Sequence, residues 1–251
     1  MKREKFTQRV ALVTGGASGL GFAIAGKFIS HDIVTVITGR DSRKLDDARK
    51  VLGDLCVPLK MDITELDMIP SHIQQVISTH NRIDILVNNA GINLKKDFVD
   101  VTNEEFQRIL MTNLTGVFAL SREVAKIMIS QKKGSIINIS SMAAHYGLPK
   151  VVAYGASKAA IEGMTRIMAV ELSPSRVLVN CIAPGFIKTP MSSTALNNDP
   201  ERKRRVLERT PIGELGSPED VAKAAYFLAS EENTYITGAI IPVDGGNSIG
   251  F

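Results

Sequence analysis

Seven short apolar runs, at 9 to 14, 33 to 38, 55 to 60, 83 to 88, 134 to 140, 176 to 182 and 239 to 243, recur along the chain with helical patterns between them. Strands of this length cannot pair side by side in one direction unless the chain crosses back over the sheet each time, and helices supply that return. The spacing therefore predicts an α/β fold, a doubly wound parallel sheet of about seven strands with helices on both faces and a ligand crevice at the carboxyl ends of the strands. At 251 residues the chain matches one large core, and no repeat, low-complexity run or linker divides it. Residues 1 to 251 are thus expected to form a single domain. The alternation lapses at 186 to 215, a long polar segment marked by prolines.

Candidate chemistry gathers at the predicted strand ends. The run RVALVT leads into Thr14-Gly15-Gly16-Ala17-Ser18-Gly19-Leu20-Gly21 and then a helical pattern. Glycines there allow a tight turn and bring backbone N–H groups toward a pyrophosphate at the positive end of a helix. A glycine-rich turn alone is weak evidence, but VNNAG, residues 87 to 91, places a second turn of small and polar residues at the same sheet edge. Further along, Tyr154 and Lys158 lie four residues apart in AYGASKAA, with Ser141 thirteen positions before Tyr154. Positions i and i+4 share one helix face. An ammonium beside a phenol is expected to lower its pKa, which equips Tyr154 to pass a proton while Ser141 holds a carbonyl oxygen.

Taken together these motifs resemble the short-chain dehydrogenase/reductase family, over a span from Val10 to the VDGG at 243 to 246. The resemblance implies a Rossmann-type sheet and an NAD(P)-dependent enzyme acting on CH–OH groups. It implies a catalytic set of Asn113, Ser141, Tyr154 and Lys158. Tyr154 would be the general acid/base, and Ser141 would polarise the carbonyl. Lys158 would hold the nicotinamide ribose and tune Tyr154, and Asn113 would bend its helix and order a water. Cofactor contacts are implied at Gly15, Ser18, Gly19, Leu20, Gly21, Arg40, Asp62, Ile63, Asn89, Ala90, Gly91, Tyr154, Lys158, Pro184, Gly185, Ile187 and Thr189, with Asp62 at the adenine. The resemblance also implies that 186 to 215 is a mobile lid over the substrate. It further implies a homotetramer, built by pairing helices at roughly 102 to 130 and 154 to 173 and by packing the last strand and tail.

Simpler roles stand beside these. Asn113 alone reads as a surface helix residue, Asp62 as a helix N-cap, and His145 as a solvated loop histidine. Cofactor choice turns on the end of the second strand. An acid there accepts hydrogen bonds from a ribose 2′-hydroxyl and repels a 2′-phosphate. Gly39 and Arg40 stand there instead, which favours NADP(H) over NAD(H), although Arg40 also reads as a solvated strand-end arginine.

Substrate class divides two ways within the resemblance. APGFIKTPM, GSPEDVAKAAYFLAS and YITGAIIPVDGG look like 3-oxoacyl-[acyl-carrier-protein] reductases, which act in fatty acid biosynthesis. NNAGINLKKDF and RTPIGELGSPED look like gluconate 5-dehydrogenases. The expected activity is the first, with carrier docking at Lys132, Lys133 and Arg176. The run Glu201-Arg202-Lys203-Arg204-Arg205 would suit either anion or simply form a solvated helix face. A reading from another class, a regulator that senses NADP without turnover, leaves the proton donor unexplained.

Composition bounds the partners. A formal charge of +4 without a basic stripe interleaved with aromatics gives no support for nucleic acid. The four histidines show no metal-ligand spacing, so no metal is expected. Cys56 and Cys181 fall in strand-like runs and read as buried thiols of a reducing compartment. MKREKFTQ lacks an apolar segment after its charges and no 18-residue apolar stretch occurs, so a cytoplasmic protein without membrane contact is expected.

Overall fold

The computed structural model describes residues 8–189 and 200–250. Among them are seven strands, β1 Val10–Thr14, β2 Val34–Gly39, β3 Cys56–Lys60, β4 Ile85–Asn88, β5 Gly134–Ile139, β6 Val177–Pro184 and β7 Ile240–Val243. All pair in parallel, in the order β3-β2-β1-β4-β5-β6-β7. Each lies within two residues of an expected run. The order reverses direction between β1 and β4, and a crevice opens at such a switch point beyond the carboxyl ends of the strands.

Both faces of the sheet are covered, which is why the strands read as continuous apolar runs. Adjacent strand residues point to opposite layers. Leu12, Leu86 and Ile136 pack against α3 (Ile69–His80) and α5 (Gly116–Gln131), meeting Ile73, Val76, Leu120, Val124 and Met128. Val13, Val87 and Ile137 pack against α1 (Gly19–Ile29) and α8 (Pro218–Ala229), meeting Ile24, Phe28, Val221 and Leu228. Fully burying one such side chain contributes on the order of 1.5–3 kcal/mol. Cys181 is buried in the first of these layers and Cys56 in a smaller cluster with Ile37 and Leu45, and burial pushes both thiols up to about 11.

Helix ends are set by local chemistry. Asp41 caps α2 (Ser42–Leu52) by accepting from Arg43 N and Lys44 N at 3.0 and 3.3 Å. Capping boxes start α4 (Asn103–Leu110), through Thr102 and Glu105, and α8, through Ser217 and Asp220. The single helix expected over 102 to 130 is two helices, because a π-helical turn, Met111–Thr115, separates α4 from α5. Of the expected lid, 190–199 lie outside the described residues. The remainder holds a parallel bridge from Ile187 to Gly216 and the helix α7 (Pro200–Arg209). No helix among the described residues is long and apolar enough to cross a membrane.

Candidate active site

The glycine turn between β1 and α1 is fixed by its neighbours. Gly15 and Gly19 have φ of 64° and 54°, the left-handed region that favours glycine. Gly21 is required for another reason: a Cβ there would stand 2.3 Å from Gly15 O and 2.6 Å from Asn89 Nδ2. The Thr14 hydroxyl accepts from Asn89 N and Ala90 N, both at 2.9 Å, and Asn89 Nδ2 donates to Thr14 O at 2.9 Å. These bonds join the turn to the VNNAG segment across the switch point.

A cavity of about 510 Å³ opens there, bounded by the glycine turn on one side and by the Ser141, Tyr154 and Lys158 side on the other. Fourteen of the expected site residues line it: Gly15, Ser18, Gly19, Leu20, Asn89, Ala90, Gly91, Ser141, Tyr154, Lys158, Pro184, Gly185, Ile187 and Thr189. Five do not. Gly21 packs behind the turn, and Ile63 is 6% exposed, with its carbonyl 2.5 Å from where a Cβ on Gly116 would sit. Arg40 is exposed at the end of β2, beside Asp62. Burial pushes the Asp62 carboxyl up, yet the Thr64 N–H and hydroxyl, at 2.9 and 2.7 Å, together with the Arg40 charge, outweigh it and hold the carboxyl low.

Asn113 is the fifth, and it is wholly buried rather than on a helix surface. Its Oδ1 accepts from Ile92 N at 2.8 Å, and its Nδ2 donates to Ile92 O at 2.9 Å and Ser157 Oγ at 3.1 Å. The π turn that carries it thereby clamps the 91–92 segment to α6 (Val152–Leu172). Such turns interrupt the regular ladder and recur at functional sites. A Cβ on Gly91 would lie 3.3 Å from Asn113 Oδ1 and 3.6 Å from Lys158 Nζ, so Gly91 keeps this floor thin.

Lys158 is buried, donates to Ile139 O at 2.7 Å, and lies 5.6 Å from the centre of the Tyr154 ring. Burial pulls it down to about 8. The expected depression of Tyr154 is reversed in this structure: burial pushes the phenol up, and the Ser141 hydroxyl opposes this only in part. Desolvation penalises both charged forms and is the largest cause of each shift.

The sequence reading missed a polar cluster behind the cavity. Ser140 Oγ donates to Glu162 Oε1 at 2.8 Å, and His145 Nε2 lies 2.9 Å from the same oxygen. His145 is exposed in its loop, as expected, and its ring also ties the turn after Ser141 to α6. Glu162 sits eight residues after Tyr154, two helical turns on the same side, and that spacing was the available sign. Truncating Glu162→Ala should cost about 1–3 kcal/mol by leaving the buried Ser140 hydroxyl poorly paired, with Glu162→Gln milder because an acceptor remains. Thermal unfolding of the two variants checks this, and equal stability to the parent would show that Glu162 does not hold the turn.

Lys132, Lys133 and Arg176 do form one group, since Gly134 pairs with Val177, but at the amino ends of β5 and β6. A six-residue strand spans roughly 20 Å, so within one chain they lie on the edge opposite the cavity. Lys133 is also ion-paired with Glu231 at 2.7 Å.

Comparison with known proteins agrees with this geometry. The family model described as Enoyl-(Acyl carrier protein) reductase matches residues 15–248. The chain is 41% identical over 243 residues to the 3-oxoacyl-[acyl-carrier-protein] reductase FabG of Thermotoga maritima, covering 95% of this chain and 97% of that protein. It is 40% identical over 243 residues to a 3alpha-hydroxysteroid dehydrogenase of Mediterraneibacter gnavus, covering 94% and 96%. Its fold superposes with a TM-score of 0.94 on the crystal structure of an Agrobacterium tumefaciens protein provisionally described as a gluconate dehydrogenase, at 32% identity and 98% coverage of both chains.

Proposed function

Because the chain belongs to the short-chain dehydrogenase/reductase family, and so is a nicotinamide-dependent oxidoreductase of CH–OH groups, we propose that it reduces 3-oxoacyl thioesters with NADPH. The observation that carries this is one cavity with Tyr154, Ser141 and Lys158 on one side and the glycine turn on the other. The likeness to a 3-oxoacyl-[acyl-carrier-protein] reductase at 41% identity supports the substrate class.

The residues present fit the cofactor. Gly15 and Gly19 leave a cradle that side chains would fill, and the start of α1 offers N–H groups to a pyrophosphate. Gly91 and Lys158 would border the nicotinamide ribose, and Pro184, Gly185, Ile187 and Thr189 would seat the carboxamide. Arg40 would face a 2′-phosphate, and Asp62 and Ile63 the adenine. Asp41 does not compete for a ribose hydroxyl, since its Oδ1 accepts from the first N–H groups of α2. A bound nicotinamide supplies or accepts the hydride. Ser141 holds the substrate oxygen. Tyr154 gives that oxygen its proton in reduction and takes it back in oxidation. Lys158, anchored on Ile139 O, is placed to stabilise the phenolate that remains.

Assembly by helix pairing is part of the proposal. Phe118 and Ile129 on α5 and Ile167 and Val170 on α6 are 43–77% exposed, more apolar surface than solvated helix faces need. A cytoplasmic location is likewise proposed.

A substrate panel tests the activity. Acetoacetyl thioester should be reduced with NADPH, and gluconate and a 3alpha-hydroxysteroid should be poor substrates with NADP. Gluconate oxidation without thioester reduction would assign the chain to the sugar-acid branch instead, a reading favoured by the 0.94 superposition.

A further inference from the structure

A second cavity, of about 400 Å³, adjoins the first and shares Leu148 and Phe186 with it. Lys95, Lys150, Arg205 and Arg209 line it, with Glu201 the acidic side chain among the described lining residues. Lys150 pairs with Asp97 at 3.0 Å, and Arg205 pairs with Glu201. Two cations remain without a carboxylate among the described residues. Lys95 is exposed, whereas Arg209 is half-buried, stacked 4.2 Å from the centre of the Tyr146 ring and donating to Asn247 O at 3.0 Å.

The cavity is a built feature rather than a chance run of charge. Lys96 N donates to Lys150 O at 2.8 Å, joining the loop that carries Lys95 to the loop that carries Lys150. Lys150 itself has φ of 68°, a left-handed conformation costly for a residue with a side chain. Tyr146, the platform for Arg209, is held by Asn247, whose Nδ2 donates to Thr210 Oγ1 at 2.9 Å. Arg209 is thereby pre-positioned, which reduces the entropy lost when it captures an anion. This cavity also lies at the carboxyl edge of the sheet, unlike Lys132, Lys133 and Arg176.

We infer that this second cavity is an anion subsite, which takes a carboxylate or phosphate carried by the substrate at a distance from its reacting carbonyl. The assignment rests on the first cavity being the reaction site, and it deepens that reading: substrates are carbonyl compounds with a remote negative group. Such an anion has two sources, the acid group of an oxo-acid or the terminal phosphate of a carrier's pantetheine arm. A guanidinium or ammonium meeting an oxyanion in a partly sheltered site is worth about tenfold to a hundredfold in affinity. The contribution of exposed Lys95 should fall with added salt, and that of Arg209 should fall less.

Calorimetric binding to the full chain saturated with NADPH tests this without requiring turnover. The probes are two pairs, phosphopantetheine against pantetheine and levulinate against methyl levulinate. In at least one pair the anion should bind about tenfold or more tightly than its neutral twin, and that pair identifies the source. Lys95→Ala should narrow the gap a few-fold, Lys95→Glu should narrow it further, and Arg209→Gln should remove most of it. Equal affinity within both pairs, or a gap that survives all three substitutions, overturns the subsite. If the gap is present but thioesters are not reduced, the proposed activity fails and the subsite stands.

Discussion

Replacing Tyr154 with phenylalanine should lower turnover by about 100- to 10,000-fold, the usual contribution of a positioned acid or base, while leaving the fold and cofactor affinity nearly unchanged. The substitution removes one oxygen from a half-buried ring and disturbs no backbone bond of α6. Direction of reaction adds a second readout. In reduction the residue acts as phenol, and burial, which pushes its pKa up, keeps it protonated through neutral pH. In oxidation it must first lose that proton, so the rate should climb as pH rises. The apparent pKa of that climb belongs to the Tyr154–Lys158 pair rather than to either group, because Lys158 is itself held near 8. Steady-state rates in both directions across the alkaline range decide the matter. More than half of the parent activity in Tyr154→Phe, or an unchanged alkaline climb, would remove Tyr154 from its role.

Cofactor preference should be reversible at the end of β2. Arg40→Ala should weaken NADPH binding by about tenfold while changing NADH binding little. A charge-assisted pair spans about tenfold to a hundredfold, and the exposed position of Arg40 places it at the lower end through solvent screening. Gly39→Asp should go further, since a carboxylate repels the 2′-phosphate and accepts from a 2′-hydroxyl. Space permits it: a Cβ on Gly39 would meet nothing nearer than Leu45 Cδ2 at 3.7 Å. Fluorescence titration of the parent and both variants with NADPH and NADH measures the six affinities needed. Equal loss of both cofactors in Arg40→Ala would show that Arg40 does not read the phosphate.

Periodicity alone determined the strands, their parallel pairing and the edge at which the cavity opens, because a strand buried on both faces leaves an uninterrupted apolar run such as RVALVT or DILV without needing a partner to be known. Local spacing likewise sufficed for Tyr154 and Lys158, which one helix face brings together, and for the glycine turn, where Gly15 and Gly19 need backbone angles that few residues adopt. Tertiary structure decided what depends on residues distant in the chain. Glu162 meets Ser140 and His145 across 22 and 17 positions, and its helical spacing from Tyr154 marks its face without naming those partners. Lys132, Lys133 and Arg176 are placed by the direction of β5 and β6 at the edge opposite the cavity within one chain, a relation that sequence spacing does not give. Lys95 and Arg209 lie far apart in the chain, and only the packing of several loops against α7 brings them to one cavity. The Tyr154 pKa belongs to the same class: spacing places Lys158 nearby, but burial, a property of the whole packed chain, sets the direction of the shift.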